Sequence, residues 1–196
     1  GTIDGSKYAP VRIADAIYIS AYYTNASSFV PLIACEIVKY SLQNGVCPES
    51  LVFFATFALF HIFLHEDYVG GKYWADVTRN IIQNSPNKKK DSEIRAELNL
   101  HVTVDLFFVS PINLASKLMS LYHDAMKIGQ VDSAMICLVQ TWKYQLLGGH
   151  NLSLILQSFE DQIELMSKHG SKLNFKQFAL NSALLMELTG QSVDCF

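Results

Sequence analysis

Apolar residues recur along this chain at steps of three and four positions, which is the pattern of a helix with one buried face. The stretch from Phe29 to Leu42 shows it well. One side of this stretch is apolar, while Glu36, Lys39 and Gln43 occupy the other side. Asn44-Gly45 then ends the pattern, as glycine often does just beyond the last turn of a helix. The pattern therefore predicts a helix that ends at this glycine.

The same pattern continues through the rest of the chain and predicts nine helices. Their ends are marked by glycine, asparagine or proline, and the connections between them are only about two to six residues long. No stretch alternates with a period of two, so the sequence predicts an all-α fold without a sheet. The predicted helices cover residues 10–23, 27–44, 48–65, 69–84, 91–108, 112–128, 131–147, 151–169 and 173–189.

Three of the glycines at helix ends are spaced by multiples of about 42 residues. The intervals from Gly45 to Gly129 and from Gly129 to Gly170 are 84 and 41 residues, and Asn87 lies near the midpoint of the longer one, in a predicted turn. A repeat of this length with two helices per unit predicts an α–α superhelix, a stack of tetratricopeptide-like helical hairpins. An ordinary helical bundle with evenly spaced loops is the alternative.

Residues 10–190 are predicted to form a single helical-repeat domain, between an N-terminal extension, residues 1–9, and a C-terminal tail, residues 191–196. In such a stack a small side chain allows two helices to approach closely. We expect this role for Ala134, which follows the turn at Gly129, and we expect its neighbour Ser133 to face outward.

The composition excludes several classes of protein. Half of the 196 residues are apolar, 17% are charged and the mean hydropathy is +0.18, so the chain has enough apolar surface to fold. A net charge of −3 with 15 basic residues gives no electrostatic case for binding nucleic acid. Because the chain begins with Gly1 and not with Met, we expect it to be a processed piece or a fragment of a longer protein.

The four cysteines, Cys35, Cys47, Cys137 and Cys195, are far apart and form no C-x-x-C pair. Each lies in an apolar stretch, as expected of small buried side chains in a reducing compartment. We therefore expect free thiols and a cytoplasmic location. A disulfide framework is the alternative, although such frameworks are usually denser in cysteine.

The longest apolar run is Leu51–Leu64, and it contains His61. Its 14 residues are fewer than the roughly 20 that a membrane span requires. The run therefore predicts a helix that is buried on several sides, and we expect no membrane span.

Two histidines one helical turn apart, His61 and His65, form the sharpest candidate for chemistry. At this spacing both rings lie on one helix face and could bind one zinc ion, with Glu66 or Asp67 nearby. The order differs from the H-E-x-x-H of metalloproteases, and no further residue completes the site at an obvious spacing. Alternatively, both histidines are structural, with His65 near a helix C-terminus where a cation suits the dipole.

The remaining motifs point to no reaction. Phosphate-binding glycine loops are absent, and Gly70-Gly71 is interpreted as a flexible helix junction. His101 and His123 each lie near an aspartate, but an all-helical chain gives no reason to place a nucleophile beside them. Lys88-Lys89-Lys90 is interpreted as a solvated loop. We therefore predict no catalytic, cofactor-binding or metal-binding residue, no cofactor, and a segment that is not an enzyme.

Three stretches carry a resemblance to a known family. They are Phe29–Phe60, then His65–Gly71, where the family often has Gly-Asp-Tyr followed by a glycine, and Tyr122–Leu152, which contains Gly129-Gln130-Val131-Asp132-Ser133-Ala134. Together they resemble the tetratricopeptide-like region of multi-sensor hybrid histidine kinases and related Ser/Thr kinases that carry an AAA/STAND-type ATPase module. His65-Glu66 stands where the family has a turn glycine.

The resemblance implies a non-catalytic regulatory or scaffold segment of a large signalling protein. Such a segment mediates contacts with partner proteins or with neighbouring domains of the same polypeptide. A free-standing tetratricopeptide-like adaptor that binds a peptide in its concave groove is the alternative. A metal-dependent enzyme that uses His61 and His65 is a third possibility.

Overall fold

The computed structural model describes residues 7–23, 27–86 and 88–190. Within these residues the chain forms ten α-helices, joined in three places by a single 3₁₀ turn, and no strand. The all-α prediction is confirmed. The helices are α1 Ala9–Tyr23, α2 Val30–Asn44, α3 Leu51–His65, α4 Tyr68–Asn84, α5 Lys90–Thr103, α6 Pro111–Lys127, α7 Val131–Leu147, α8 Leu152–Glu160, α9 Ile163–His169 and α10 Lys172–Leu188.

Two predicted helices are shorter than expected. The helix predicted over 151–169 is interrupted between α8 and α9, where the N–H of Gln162 bonds back to the carbonyl of Phe159, only three residues away. Neither glycine nor proline marks this interruption. The helix predicted over 91–108 ends at Thr103 and is followed by the 3₁₀ turn Asp105–Phe107.

One domain is predicted over residues 10–190, whereas the contacts divide the chain into two compact units, Gly1–Val104 and Asp105–Phe196. The first unit contains α1–α5 and the second contains α6–α10.

Helix α3 is the centre of the first unit and packs against α2, α4 and α5. Every residue of its first six, Leu51 to Thr56, is buried. The prediction of a helix buried on several sides is therefore confirmed. Within the described residues, one helical stretch, Pro48–His65, is long and apolar enough to cross a membrane, and half of it is buried in this unit. Core helices of globular proteins share this length and composition.

A polar network joins the first and last helices of this unit to α3. The guanidinium of Arg95 donates two hydrogen bonds to the carboxylate of Asp15, at 2.9 and 2.7 Å. Asn99 donates to the hydroxyl of Thr56 at 2.9 Å, and this hydroxyl lies 3.1 Å from that of Tyr18. Because Asp15 and Arg95 are 80 positions apart, this pair fixes α1 against α5.

The second unit is built around the α6–α7 hairpin and a cluster of aromatic rings. The hairpin buries three small residues, Ala115, Ala125 and Ala134. Its turn contains Gly129, whose φ of 76° is one that other residues rarely adopt. Beyond the hairpin, the ring of Trp142 stacks on that of Phe159 with 3.9 Å between centroids, and α7, α8 and α10 enclose this cluster.

Two expectations about exposure are wrong. Ser133 is only 7% exposed, and its hydroxyl lies 3.3 Å from the side-chain oxygen of Gln130, so it does not face outward. Cys35 is exposed on α2, whereas Cys47 and Cys137 are buried as expected. All three of these thiols are free, and Cys195 lies outside the described residues. Burial raises the pKa of the Cys137 thiol to about 12, so this side chain stays protonated.

We predict that Ala134→Leu lowers the free energy of unfolding by roughly 1–3 kcal/mol, because Ala134 is fully buried where α6 and α7 pack. Ser120→Leu is the matched control, since Ser120 is exposed on α6 and its replacement is expected to cost within about 0.5 kcal/mol. Chemical denaturation of both variants measures the difference. Equal stability of the two variants would contradict the close packing of this hairpin.

Candidate functional site

A group of interacting polar side chains lies at the turn between α3 and α4. His61 and His65 lie one turn apart at the C-terminal end of α3, with 6.2 Å between their ring centroids. The two histidines therefore share one helix face, as the sequence predicts.

The turn itself brings Asp67 back to this histidine pair. Glu66 takes a left-handed conformation with φ of 54°, the single non-glycine residue with positive φ in the described part of the chain. The N–H of Glu66 donates to the carbonyl of Ile62 at 3.0 Å, and that of Asp67 donates to the carbonyl of His61 at 2.9 Å. The chain thus folds back over the last turn of α3, without a glycine to relieve the conformation.

Asp67 uses its two carboxylate oxygens for two purposes. Oδ1 accepts the N–H of Gly70 at 2.8 Å and so caps the N-terminus of α4, while Oδ2 lies 3.0 Å from Nδ1 of His61. The bond from Gly70 and the bond from His61 hold the pKa of the Asp67 carboxyl below its usual value. Because an ionised carboxylate can only accept, Nδ1 of His61 carries a proton toward Asp67.

Two adjacent glycines permit this close contact. A Cβ atom on Gly70 would lie 2.0 Å from Oδ2 of Asp67 and 2.8 Å from Nδ1 of His61. A Cβ atom on Gly71 would lie 2.4 Å from the side chain of Ile62. Both glycines belong to the first turn of α4, so they serve close packing of α3 and α4, and the interpretation of a flexible junction is wrong.

Aromatic rings support His61 on the inner side. Its ring meets that of Phe57 edge-on at 4.9 Å and lies nearly parallel to that of Trp74 at 6.5 Å, between centroids. The His61 side chain remains 25% exposed, and His65 is exposed. The site therefore has one imidazole, that of His61, held between aromatic rings and a carboxylate. The second imidazole, that of His65, lies on the solvent side.

His101 and His123 have a carboxylate and a tyrosine ring, respectively, among their neighbours. Nε2 of His101 lies 3.8 Å from the carboxylate of Glu97, and Asp105 faces Lys117 at 3.9 Å. His123 lies against the ring of Tyr122 at 5.1 Å between centroids. Its neighbour, Asp124, pairs with Lys127 at 3.2 Å.

The lysine run is engaged with carboxylates. Lys89 donates to Glu49 at 3.3 Å, and Lys90 lies 3.8 Å from Glu93. Both lysines are about half exposed, which fits a solvated loop. No group of three or more His, Cys, Asp or Glu side chains that could hold a metal ion occurs within the described ranges.

The double role of Asp67, as the cap of α4 and as the partner of His61, was not predicted from the sequence. From the sequence, Asp67 is only a residue near the histidines. Its spacing of three residues before Gly70 is that of an N-cap whose oxygen accepts from the first helical turn, and this was the available signal. The left-handed turn at Glu66, which brings the carboxylate to His61, has no such signal.

Comparison of the chain with protein-family models, with curated proteins and with solved structures finds no match.

We predict that Glu66→Gly raises the free energy of unfolding by about 0.5–1 kcal/mol. A left-handed conformation costs a non-glycine residue about 1–2 kcal/mol, and the greater freedom of glycine in the unfolded chain offsets part of this gain. Glu66→Ala, which keeps a Cβ atom, is the matched control and should bring no comparable gain. Denaturant titration of both variants is the measurement, and equal stability of the two would contradict the left-handed turn.

We predict a pH-dependent loss of stability in Asp67→Asn. Since the pKa of Asp67 is lower in the folded chain than its ordinary value of 3.8, the charged carboxylate stabilises the fold at neutral pH. This contribution is lost as the pH falls through the folded pKa. The difference in stability between wild type and variant should therefore be largest near neutral pH and should disappear as the pH falls below about 4. Thermal unfolding at a series of pH values measures this difference.

Asp76→Asn is the control for this change of charge. Asp76 lies on α4 as well, where it forms an exposed pair with Lys72 at 2.9 Å, and such pairs contribute little to stability. An effect of Asp67→Asn that stays constant down to low pH would contradict the role assigned to the carboxylate.

Proposed function

We propose that this chain is a non-catalytic, cytoplasmic helical-repeat segment of a large signalling ATPase or histidine kinase. In this proposal its helices form tetratricopeptide-like hairpins that stack as an α–α superhelix. The segment makes contacts with protein partners or with neighbouring domains of the same polypeptide, and it binds neither nucleic acid nor a cofactor. The resemblance of three stretches to that family supports the proposal.

The observation that carries the proposal is an exposed leucine stripe on α10, formed by Leu180, Leu184 and Leu188. These side chains are 71%, 46% and 53% exposed, and they recur at steps of four residues along one face of the helix. On a second face of the same helix, the side chains of Phe178 and Leu185 are buried. The helix is therefore apolar on two faces, while only one of them is covered by the second unit.

An α-helix at the surface of an independent globular domain usually has a polar outer face. In a stack of helical hairpins each unit instead covers the apolar face of the next one, and only capping units are polar outside. The leucine stripe is therefore the feature expected of an internal unit, whose outer face meets another helix. This reasoning favours a segment that works through contacts over one that binds a small substrate.

The turn at Glu66 departs from the family sequence but keeps the backbone conformation that a turn glycine would have. In the family that the sequence resembles, a turn glycine stands at this place, and Glu66 has the left-handed φ that glycine adopts most easily. Apolar side chains around the same turn are exposed as well, namely Phe63, Leu64, Val69 and Tyr73. Such clusters of exposed apolar side chains are typical of protein interaction surfaces.

A free-standing adaptor that binds a peptide is the second candidate, and an open groove in the first unit favours it. The groove encloses about 420 Å³ and is lined by Val46, Val77, Asn80, Ile81, Asn84, Ser85 and Pro86. Apolar side chains beside amides suit an extended peptide. For the third possibility, a metal-dependent enzyme, His61 and His65 gain no third protein ligand among the described residues.

The reading frame on both sides of this chain decides between the two candidates. We predict a nucleotide-binding or kinase module in the same frame, and no ATP turnover by the purified 196-residue chain, which has no phosphate-binding loop. Absence of both modules would overturn the signalling assignment in favour of the adaptor. Turnover that co-purifies with this chain alone and persists after repurification would overturn the non-catalytic assignment.

The leucine stripe can be tested within the full polypeptide. Leu180→Gln combined with Leu184→Gln should alter the regulated ATPase or kinase activity, because it removes the apolar contact of α10. Ser120→Gln, at another exposed helix position, should leave that activity unchanged. The isolated wild-type chain and both variants should unfold at nearly the same denaturant concentration, since surface substitutions usually change stability by within about 0.5 kcal/mol. Unaltered regulation in the stripe variant would contradict a contact at α10.

A further inference from the structure

We propose that His61 and His65 together bind one divalent transition-metal ion of the zinc or copper type, with Asp67 as the outer carboxylate that orients His61. This inference concerns a binding site and does not depend on the proposed signalling role. It replaces the expectation that the chain has no metal-binding residue, and it differs from the metal-dependent enzyme considered above because no reaction is assigned to the ion.

The first argument is the placement of the two rings. Residues four positions apart lie on one helix face, and side chains lean toward the helix N-terminus, so His65 leans toward His61. The ring centroids lie 6.2 Å apart, and each bond from imidazole nitrogen to zinc is about 2.0–2.1 Å long. The exposed ring of His65 therefore has to turn toward His61 for both to bind one ion at a tetrahedral angle. Imidazole is a ligand that suits zinc, copper and nickel.

The second observation is the orientation of His61. Metal-bound histidines usually donate their second ring nitrogen to a carboxylate or a carbonyl, which fixes the ring orientation. Nδ1 of His61 lies 3.0 Å from Oδ2 of Asp67, so Nε2 is the ring nitrogen that remains for a metal ion. The N–H of Gly70 donates to Oδ1 of the same carboxylate at 2.8 Å and holds it in place. The rings of Phe57 and Trp74 then restrict the imidazole itself.

The third argument concerns charge and access. The Asp67 carboxylate lies 3.0 Å from His61, beside the position proposed for the ion. A dication between the rings is therefore partly compensated by one nearby carboxylate. His65 is exposed and His61 is partly so, and thus an ion can enter from solvent. Water or a side chain of a bound partner would fill the remaining positions of a tetrahedral site.

The experiment is a calorimetric titration of the 196-residue chain with Zn²⁺ alone at neutral pH. We expect one equivalent whose affinity falls at least tenfold in His61→Gln and again at least tenfold, separately, in His65→Gln, because each variant removes one of two ligands. Asp67→Asn should weaken binding by roughly 10–100-fold, the usual cost of removing the outer partner of a metal-bound histidine. His169→Gln, which replaces an exposed histidine at the end of α9, is the matched control and should bind as the wild type does.

Titration with Cu²⁺ gives a second readout, which a change in the stability of a variant would not produce. The electron spin resonance spectrum of the copper-bound chain should show hyperfine coupling to two imidazole nitrogens, and to one in either histidine variant. Zinc affinity unchanged in either histidine variant would overturn the proposal, as would an equal loss in His169→Gln or a copper spectrum with a single imidazole nitrogen. Unfolding curves without metal show whether each variant is folded before it is titrated.

Discussion

Helix α3 is apolar on almost every side, so it is stable in water only where other helices cover it. Leu51 to Thr56 are all buried, and α2, α4 and α5 supply the cover. Much of the first unit follows from this requirement. Where a polar side chain of a covering helix does face α3, it bonds to a polar group of that helix, as Asn99 does to Thr56. A buried polar group without a partner would cost stability, whereas this network satisfies both of these groups.

The same packing produces the histidine site. Helix α4 approaches α3 closely because Gly71 has no side chain to meet Ile62, and Gly70 leaves space for the carboxylate of Asp67 beside His61. The close approach therefore serves two ends at once. It closes the core on one side of α3, and it places the carboxylate of Asp67 where it orients the imidazole of His61. Packing and potential chemistry share the same two glycines, so a change at either position affects both.

Most helix ends were predictable because their signals are local. Gly45 and Gly129 have the positive φ that ends a helix, and the predicted ends at 44 and 128 match those observed within one residue. The interruption between α8 and α9 was not predictable, since no glycine or proline marks it. Likewise the exposure of Cys35 and the burial of Ser133 depend on which neighbours cover each helix face. Periodicity shows which residues share a face, but it does not show which other helix packs on that face.

The sequence by itself determined that the chain is helical, where most of its helices begin and end, and that His61 and His65 share a helix face, because hydrophobic period, caps and glycines act over a few residues. Only the tertiary structure decided that Asp67 folds back onto His61, that Arg95 pairs with Asp15 and that α10 keeps an uncovered leucine face. These relations join residues through turns and packing across long stretches of chain. Their geometry depends on how complete helices fit together, and no local pattern of residues encodes that fit.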